Sequence, residues 1–159
     1  MFLKPDYNLK DIYEINFEEL KSKGIKALLF DLDSTLMKSK SAAYAKKTLE
    51  WLSTFQKEFI VAVLSNNFNT EYIKKVQGQS TFDVLGACNK PNPKILLEYL
   101  ENARIKPTEA VMIGDRPLTD ILVGKRAGCM TILVGSINAA NEGAPTRFVR
   151  WLERLTIKH

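Results

Sequence analysis

Ile25-Lys26-Ala27-Leu28-Leu29-Phe30-Asp31-Leu32-Asp33-Ser34-Thr35-Leu36 is the stretch on which the reading of this chain turns. Its first half is a short apolar run, the signature of a strand buried on both faces of a parallel sheet. Its second half switches to two aspartates two residues apart. In an open α/β sheet, ligands bind outside the carboxyl ends of the strands. Residues i and i+2 of extended backbone point to the same side, so Asp31 and Asp33 can enter one pocket. Two carboxylates so close are costly unless a cation or a shared proton relieves them. An isolated D-x-D is more often a solvated turn with Asp as a helix cap. The ends of the other strands therefore decide the matter.

Working outward, apolar β-rich runs alternate with amphipathic stretches. Strands are expected at Ile25–Phe30, Phe59–Leu64, a weak Phe82–Leu85, Ala110–Ile113 and Met130–Val134. Helices are expected near Ala42–Gln56, Thr70–Gln77, Pro93–Ala103, Pro117–Ala127 and Pro145–Ile157. Pro93, Pro117 and Pro145 suit a first helical turn, and Gly78 and Gly128 suit the position just past a helix end. The alternation predicts an α/β fold, a three-layer Rossmann-like sandwich on a five-stranded, mainly parallel sheet. No repeat or long linker interrupts it, so residues 1–159 are expected to form one domain. Residues 1–24 would be a partly helical lead draped across the sheet, and 145–159 a C-terminal amphipathic helix.

Each remaining strand ends in groups suited to phosphate chemistry. Ser65-Asn66 follows the second strand, Lys90-Pro91 follows the third, and Gly114-Asp115-Arg116-Pro117-Leu118-Thr119-Asp120 follows the fourth. Each has a bland reading alone: Ser65 as a cap, Lys90 as a surface charge, Asp120 as a first-turn acid. Their collection at one edge is what argues for a site.

Composition limits the chemistry further. The 159 residues are 45% hydrophobic and 26% charged, with a net charge of +5, which describes a folded globular protein with a mild basic excess. No run approaches the roughly 20 apolar residues of a membrane-spanning helix. The opening residues lack the apolar core of a secretory signal, so a cytoplasmic location is expected. Cys88 and Cys129 form no C-x-x-C pair and read as small buried hydrophobes. The one histidine, His159, is the last residue, which closes off triad, His-nucleophile and zinc-protease chemistry. The modest charge and lack of a module signature argue against nucleic acid as a partner.

Asp31-x-Asp33-x-Thr35, Ser65-Asn66, Lys90-Pro91 and Gly114-Asp115-x4-Asp120, in this order and each after a strand, resemble the haloacid dehalogenase superfamily of phosphohydrolases. The surrounding sequence resembles its YqeG-like subgroup, related to mitochondrial phosphatidylglycerophosphatases. That likeness runs from Pro5-Asp6 through Ile12–Ile15 and Lys23–Lys26, then from Gly114–Asp120 and Arg126-Ala127-Gly128 to Thr131–Val134. Ser34 is a departure, since Asn is common there in the subgroup.

The resemblance implies a Mg²⁺-dependent phosphatase with Asp31 as nucleophile and Asp33 as general acid–base. It implies Mg²⁺ on the Asp31 carboxylate, the Asp33 carbonyl and Asp115, with Asp120 close by. Ser65 and the Asn66 backbone N–H would hold the phosphoryl oxygens, and Lys90 would neutralise their charge, with Lys94 as its rival. Thr35 would fix the turn and orient Asp33.

Spacing bears on access. Asp33 and Ser65 are separated by 31 residues and Ser65 and Lys90 by 24, each filled by predicted elements, so no large cap domain fits. An open site suits a bulky phosphorylated substrate, with a phosphatidylglycerophosphate-like membrane phospholipid as first expectation. The alternative is a small sugar or nucleotide phosphate, with a homo-oligomer completing the pocket. A receiver module would carry an aspartate after the third strand, where Gly86-Ala87-Cys88-Asn89 stands instead; a silent scaffold would not need so many competent residues.

The last helix admits two placements. Its stripe of Phe148, Trp151, Leu152 and Leu155 is expected to dock on the sheet, leaving Arg147, Arg150, Arg154 and Lys158 in water. As a basic amphipathic helix it could instead make peripheral contact with an anionic membrane.

Overall fold

Six parallel strands in the order β1-β6-β5-β2-β3-β4 form the sheet. They are β1 (Tyr7–Asn8), β2 (Ala27–Phe30), β3 (Ile60–Leu64), β4 (Asp83–Leu85), β5 (Ala110–Gly114) and β6 (Met130–Leu133). The helices are α1 (Phe17–Ser22), α2 (Lys46–Ser53), α3 (Thr70–Gln77), α4 (Lys94–Asn102), α5 (Leu122–Ala127) and α6 (Ala144–Arg154). This computed structural model describes residues 3–137 and 144–157. His159 and Lys158 lie outside the described residues.

The sheet has one strand more than expected. The additional strand, β1, comes from the lead and pairs with β6 through Tyr7 opposite Ile132 and Asn8 opposite Leu133. Two residues carry no readable periodicity. Asp6 secures the lead instead, its Oδ2 accepting from the Thr131 N–H at 2.8 Å and the Thr131 hydroxyl at 2.9 Å.

Period-two alternation on β2 divides the core into the two outer layers of the sandwich. Leu28 and Phe30 pack with Leu20, Leu52, Phe55 and Val76 on the face covered by α1, α2 and α3. Ala27 and Leu29 pack with Leu96, Leu100 and Val123 on the face covered by α4 and α5. Both faces of β2 are thus fully buried, as its unbroken apolar sequence predicts.

Helix ends differ from expectation where the backbone turns early. Helix α2 begins at Lys46 rather than Ala42, because Ala42 takes a left-handed φ of 50° and Ala45 is extended. Gly128 adopts φ 82° and ends α5, whereas Gly78 stays right-handed at φ −62°. After α4 the left-handed position falls to Arg104 (φ 57°), with the Ile105 N–H returning to the Leu100 carbonyl at 2.9 Å. A side chain there costs about 1 kcal/mol relative to glycine, so Arg104→Gly is expected to raise stability by up to that amount. Chemical denaturation would measure it; an unchanged midpoint would contradict the capping account.

Helix α6 reverses the expected docking. Phe148, Trp151, Leu152 and Leu155 face solvent, with Phe148 and Trp151 57% and 56% exposed. The residues turned inward are Arg150 and Glu153. The helix is held by ion pairs, whose partners lie at the rim described next.

Candidate active site

Strand order reverses at β2, which pairs with β3 on one side and β5 on the other. The crevice beyond β2 and β5 is the switch point where α/β sheets place ligands. Asp31 is fixed there by its own N–H, which donates to the Ile113 carbonyl at 2.9 Å. Asp115 follows β5 directly and is buried. Asp120 arrives through a π-helical turn, Pro117–Ile121, which precedes α5. Its carboxylate lies against Gly114 so tightly that a Cβ at that position would stand 2.3 Å from Asp120 Oδ2. That close approach explains the glycine of Gly114-Asp115-x4-Asp120.

Asp31, Asp115 and Asp120 each offer a carboxylate oxygen within 4.8 Å of the others. Lys90 lies between two of them, its Nζ donating at 2.7 Å to Asp31 Oδ1 and at 2.7 Å to Asp120 Oδ1. Burial alone would depress its ammonium; the Asp120 and Asp31 carboxylates outweigh that and hold it above its ordinary value. Lys94 instead extends into solvent and faces Glu98 at 3.9 Å.

Asn66 sets the height of Lys90. Its Oδ1 accepts from the Lys90 N–H at 2.7 Å and its Nδ2 donates to the Lys90 carbonyl at 2.9 Å. The sequence reading gave Asn66 only a backbone role; this two-point clamp depends on the β3 and β4 loops meeting. Ser65 is buried beside it, its Oγ accepting from the Asn67 N–H at 3.1 Å.

Thr35 also differs from expectation. The buried Thr35 hydroxyl lies 3.3 Å from Asp31 Oδ2 and 3.1 Å from Asp115 Oδ1, so it orients those carboxylates rather than Asp33. Asp33 Oδ1 accepts from the Tyr72 hydroxyl at 2.6 Å and the Lys40 N–H at 3.1 Å. Tyr72 on α3 went unseen, because nothing in its sequence context marks it apart from an ordinary helix aromatic. Ser34, between the two aspartates, takes φ 71°. Asn enters that region more readily than other residues, so this backbone would accept it at position 34.

Arg150 is the second residue sequence reasoning left out of the site. Its Nη1 pairs with Asp115 Oδ2, opposite the oxygen that faces Thr35. Its basic stripe was visible; which side of α6 would face inward was not. Next to it, Arg116 reaches Glu153 through Nε at 3.2 Å and Nη2 at 2.8 Å. A cavity of about 320 Å³ lies between, lined by Arg116, Pro145, Val149 and Arg150.

Acids this close and this buried resist ionisation. Burial, then Asp31 and Asp120, push the Asp115 carboxyl up to about 7 against the pull of Arg150. Burial and Asp31 push Asp120 up to about 6 against Lys90. Between the ordinary carboxylate range and these values, the folded protein retains protons that the unfolded chain has released. By linkage, metal-free protein is expected to lose stability as pH rises from about 4 to about 7. Thermal denaturation in chelator measures this; stability rising across that window would contradict it.

Comparisons with known proteins agree with this geometry. A family model described as HAD-hydrolase-like matches residues 87–150. The chain is 32% identical over 153 residues to "Probable phosphatase YqeG" of Bacillus subtilis, covering 96% of this chain and 88% of that protein. It is also 32% identical over 166 residues to "Phosphatidylglycerophosphate phosphatase 1, chloroplastic/mitochondrial" of Arabidopsis thaliana. That match covers 99% of this chain and 48% of the plant protein, so the chain spans about half its length. Among solved structures, a HAD family enzyme of Bacteroides thetaiotaomicron, in complex with magnesium and inorganic phosphate, shares the fold. Its TM-score is 0.54 at 18% identity, covering 79% of this chain and 100% of that one. An α/β sheet with acids gathered at its switch point, together with a phosphatase relative matched along almost the whole chain, makes this protein a phosphatase of the haloacid dehalogenase-like family.

Proposed function

We propose that this phosphatase requires Mg²⁺ and hydrolyses phosphate monoesters through an aspartyl-phosphate on Asp31, acting on a lipid phosphate monoester of the phosphatidylglycerophosphate kind. The observation that carries the reading is the convergence of Asp31, Asp115 and Asp120 within 4.8 Å, with Lys90 between Asp31 and Asp120. Hard carboxylate oxygens whose mutual repulsion needs a counter-charge fit a hard divalent cation. Asp31, Asp115 and the Asp33 carbonyl would hold it, with Asp120 next to them. When bound, the ion supplies charge neutralisation at the transferring phosphoryl group.

The side chains divide the remaining work. An Asp31 oxygen forms a bond to phosphorus as the bond from phosphorus to the leaving alkoxide breaks, and Asp33 gives that alkoxide its proton. Asp33 then takes a proton from the water that attacks the acyl-phosphate, releasing inorganic phosphate and restoring Asp31. Lys90 neutralises the phosphoryl oxygens and holds Asp31 in line; Ser65 and the Asn66 N–H bind those oxygens; Thr35 keeps Asp31 and Asp115 in register. The described residues act as one catalytic domain, with residues 3–24 as its lead and α6 as its last helix.

Two observations support a lipid substrate: the likeness to the plant enzyme and the solvent-facing apolar side of α6. That side, flanked by exposed Arg147 and Arg154, suits peripheral contact with an anionic bilayer. Among the described residues no helix is long and apolar enough to cross a membrane. The test compares a lipid phosphate monoester in vesicles with soluble sugar and nucleotide phosphates, with Mg²⁺ and with chelator. Mg²⁺-dependent turnover favouring the lipid is expected. Equal or faster turnover of a soluble metabolite would transfer the assignment to that substrate, and turnover unaffected by chelator would remove the metal.

A further inference from the structure

Helix α6 sits on the rim the wrong way out for an ordinary amphipathic helix. Among its described side chains, inward contact is made by Arg150, on Asp115, and by Glu153, on Arg116. Phe148, Val149, Trp151 and Leu152 are left in water, joined by Leu155 just past the helix end. Phe148 and Trp151 stack with ring centroids 5.8 Å apart, so the exposed surface is one continuous patch. A charged face turned inward and an apolar face turned outward reverse the usual hydrophobic arrangement. The segment after the helix is secured independently: Ile157 packs with Ile121 and Leu133, and the Leu3 N–H donates to the Thr156 carbonyl at 2.6 Å.

Both oxygens of Asp115 are engaged, one facing Thr35 and one facing Arg150. The guanidinium supplies the counter-charge that a divalent cation would otherwise bring to the same carboxylate. Binding of the ion through Asp115 and retention of Arg150 there therefore compete. Losing the Arg150 pair removes one of the two ion pairs that hold α6 down among the described residues. The exposed apolar patch, bordered by Arg147 and Arg154, indicates where a released helix would go: an anionic lipid surface, which complements both its apolar stripe and its charge.

We infer that α6 is an interfacial latch: at rest Arg150 occupies Asp115 in place of the metal, and docking of the Phe148–Leu155 face on an anionic bilayer withdraws it. The inference rests on the reading of the acid cluster as a divalent-cation site and adds its regulation. It makes the enzyme bind metal tightly only where its lipid substrate is.

The test measures Mn²⁺ affinity of the full chain by electron paramagnetic resonance, without substrate. It is made in buffer, with phosphatidylcholine vesicles, and with vesicles containing phosphatidylglycerol. Arg150→Gln is expected to tighten Mn²⁺ binding in buffer by about tenfold, the scale of a charge-assisted contact to a buried carboxylate. Phosphatidylglycerol vesicles should tighten binding to the unaltered chain by a similar factor and shift Trp151 emission to the blue. They should add little to Arg150→Gln. A Phe148→Ser, Trp151→Ser double variant should match the unaltered chain in buffer and gain nothing from vesicles.

Equal, measurable affinities for the unaltered chain and Arg150→Gln would overturn the latch while leaving the metal site standing. No Mn²⁺ binding by either would overturn the metal reading and the latch with it. Tightening by Arg150→Gln without any vesicle effect would overturn the coupling to lipid. A dimer in sedimentation that the double variant dissociates, with no vesicle binding, would assign the patch to a second copy of the chain instead.

Discussion

Asp31→Asn is expected to lower turnover by about 10⁴-fold or more, the loss seen when a covalent nucleophile is removed and only binding and electrostatics remain. The substitution is nearly isosteric, and the backbone N–H that fixes residue 31 to the Ile113 carbonyl at 2.9 Å is untouched. The fold should therefore survive. Asp31→Asn gives up the 2.7 Å Lys90–Asp31 pair, but Lys90 keeps its 2.7 Å pair with Asp120, and one of the causes that raise the Asp115 and Asp120 carboxyls is removed. In chelator, Asp31→Asn should consequently melt no lower than the unaltered protein at neutral pH. Inactive yet undiminished in stability is a combination that a purely structural role for Asp31 would not produce. Turnover within tenfold of the parent would remove it as nucleophile.

Lys90→Met should cost both activity and stability. The ammonium is buried, with 2.7 Å contacts to Asp31 and Asp120, and the methionine leaves those carboxylates facing each other across an apolar chain. Breaking a buried pair by deleting one partner costs about 3–5 kcal/mol, because the remaining charge is uncompensated. The sign with pH follows from the carboxylates. Lys90 itself is charged in both states throughout the neutral range, so its loss is felt in full at pH 7. As pH falls through about 7 and then about 6 the folded protein takes up protons at Asp115 and Asp120, and the deficit should shrink. Denaturation of both proteins at pH 5 and pH 8 in chelator measures this. A deficit that is equal at the two pH values would show that Lys90 acts by packing rather than by charge.

Residues at strand ends were the most legible in the sequence. Asp31 and Asp115 directly follow predicted strands and Lys90 lies in the loop after one, and a parallel sheet brings all such ends to one edge whatever the packing details; Asp120 needs the π-helical turn as well. Residues whose role depends on how a helix or loop is turned were not legible. Tyr72 reaches Asp33, and Asn66 clamps the Lys90 backbone, only because α3 and the β3 and β4 loops come together. Strand β1 is too short for any periodicity. For α6 the pattern was read correctly and the environment wrongly: an apolar stripe of period 3.6 identifies a face but not what that face meets. Two ion pairs at the rim, Arg150 with Asp115 and Glu153 with Arg116, decided the orientation, and neither is local in sequence.

A crystal structure of the protein with Mg²⁺ and beryllium fluoride, a phosphoryl mimic, tests the central claim most directly. The account predicts beryllium bonded to the Asp31 carboxylate and one Mg²⁺ shared by Asp31 and Asp115, with Arg150 displaced from Asp115. A fluoride adduct on another side chain, or a metal bound away from Asp115 with the Arg150 pair intact, would contradict it.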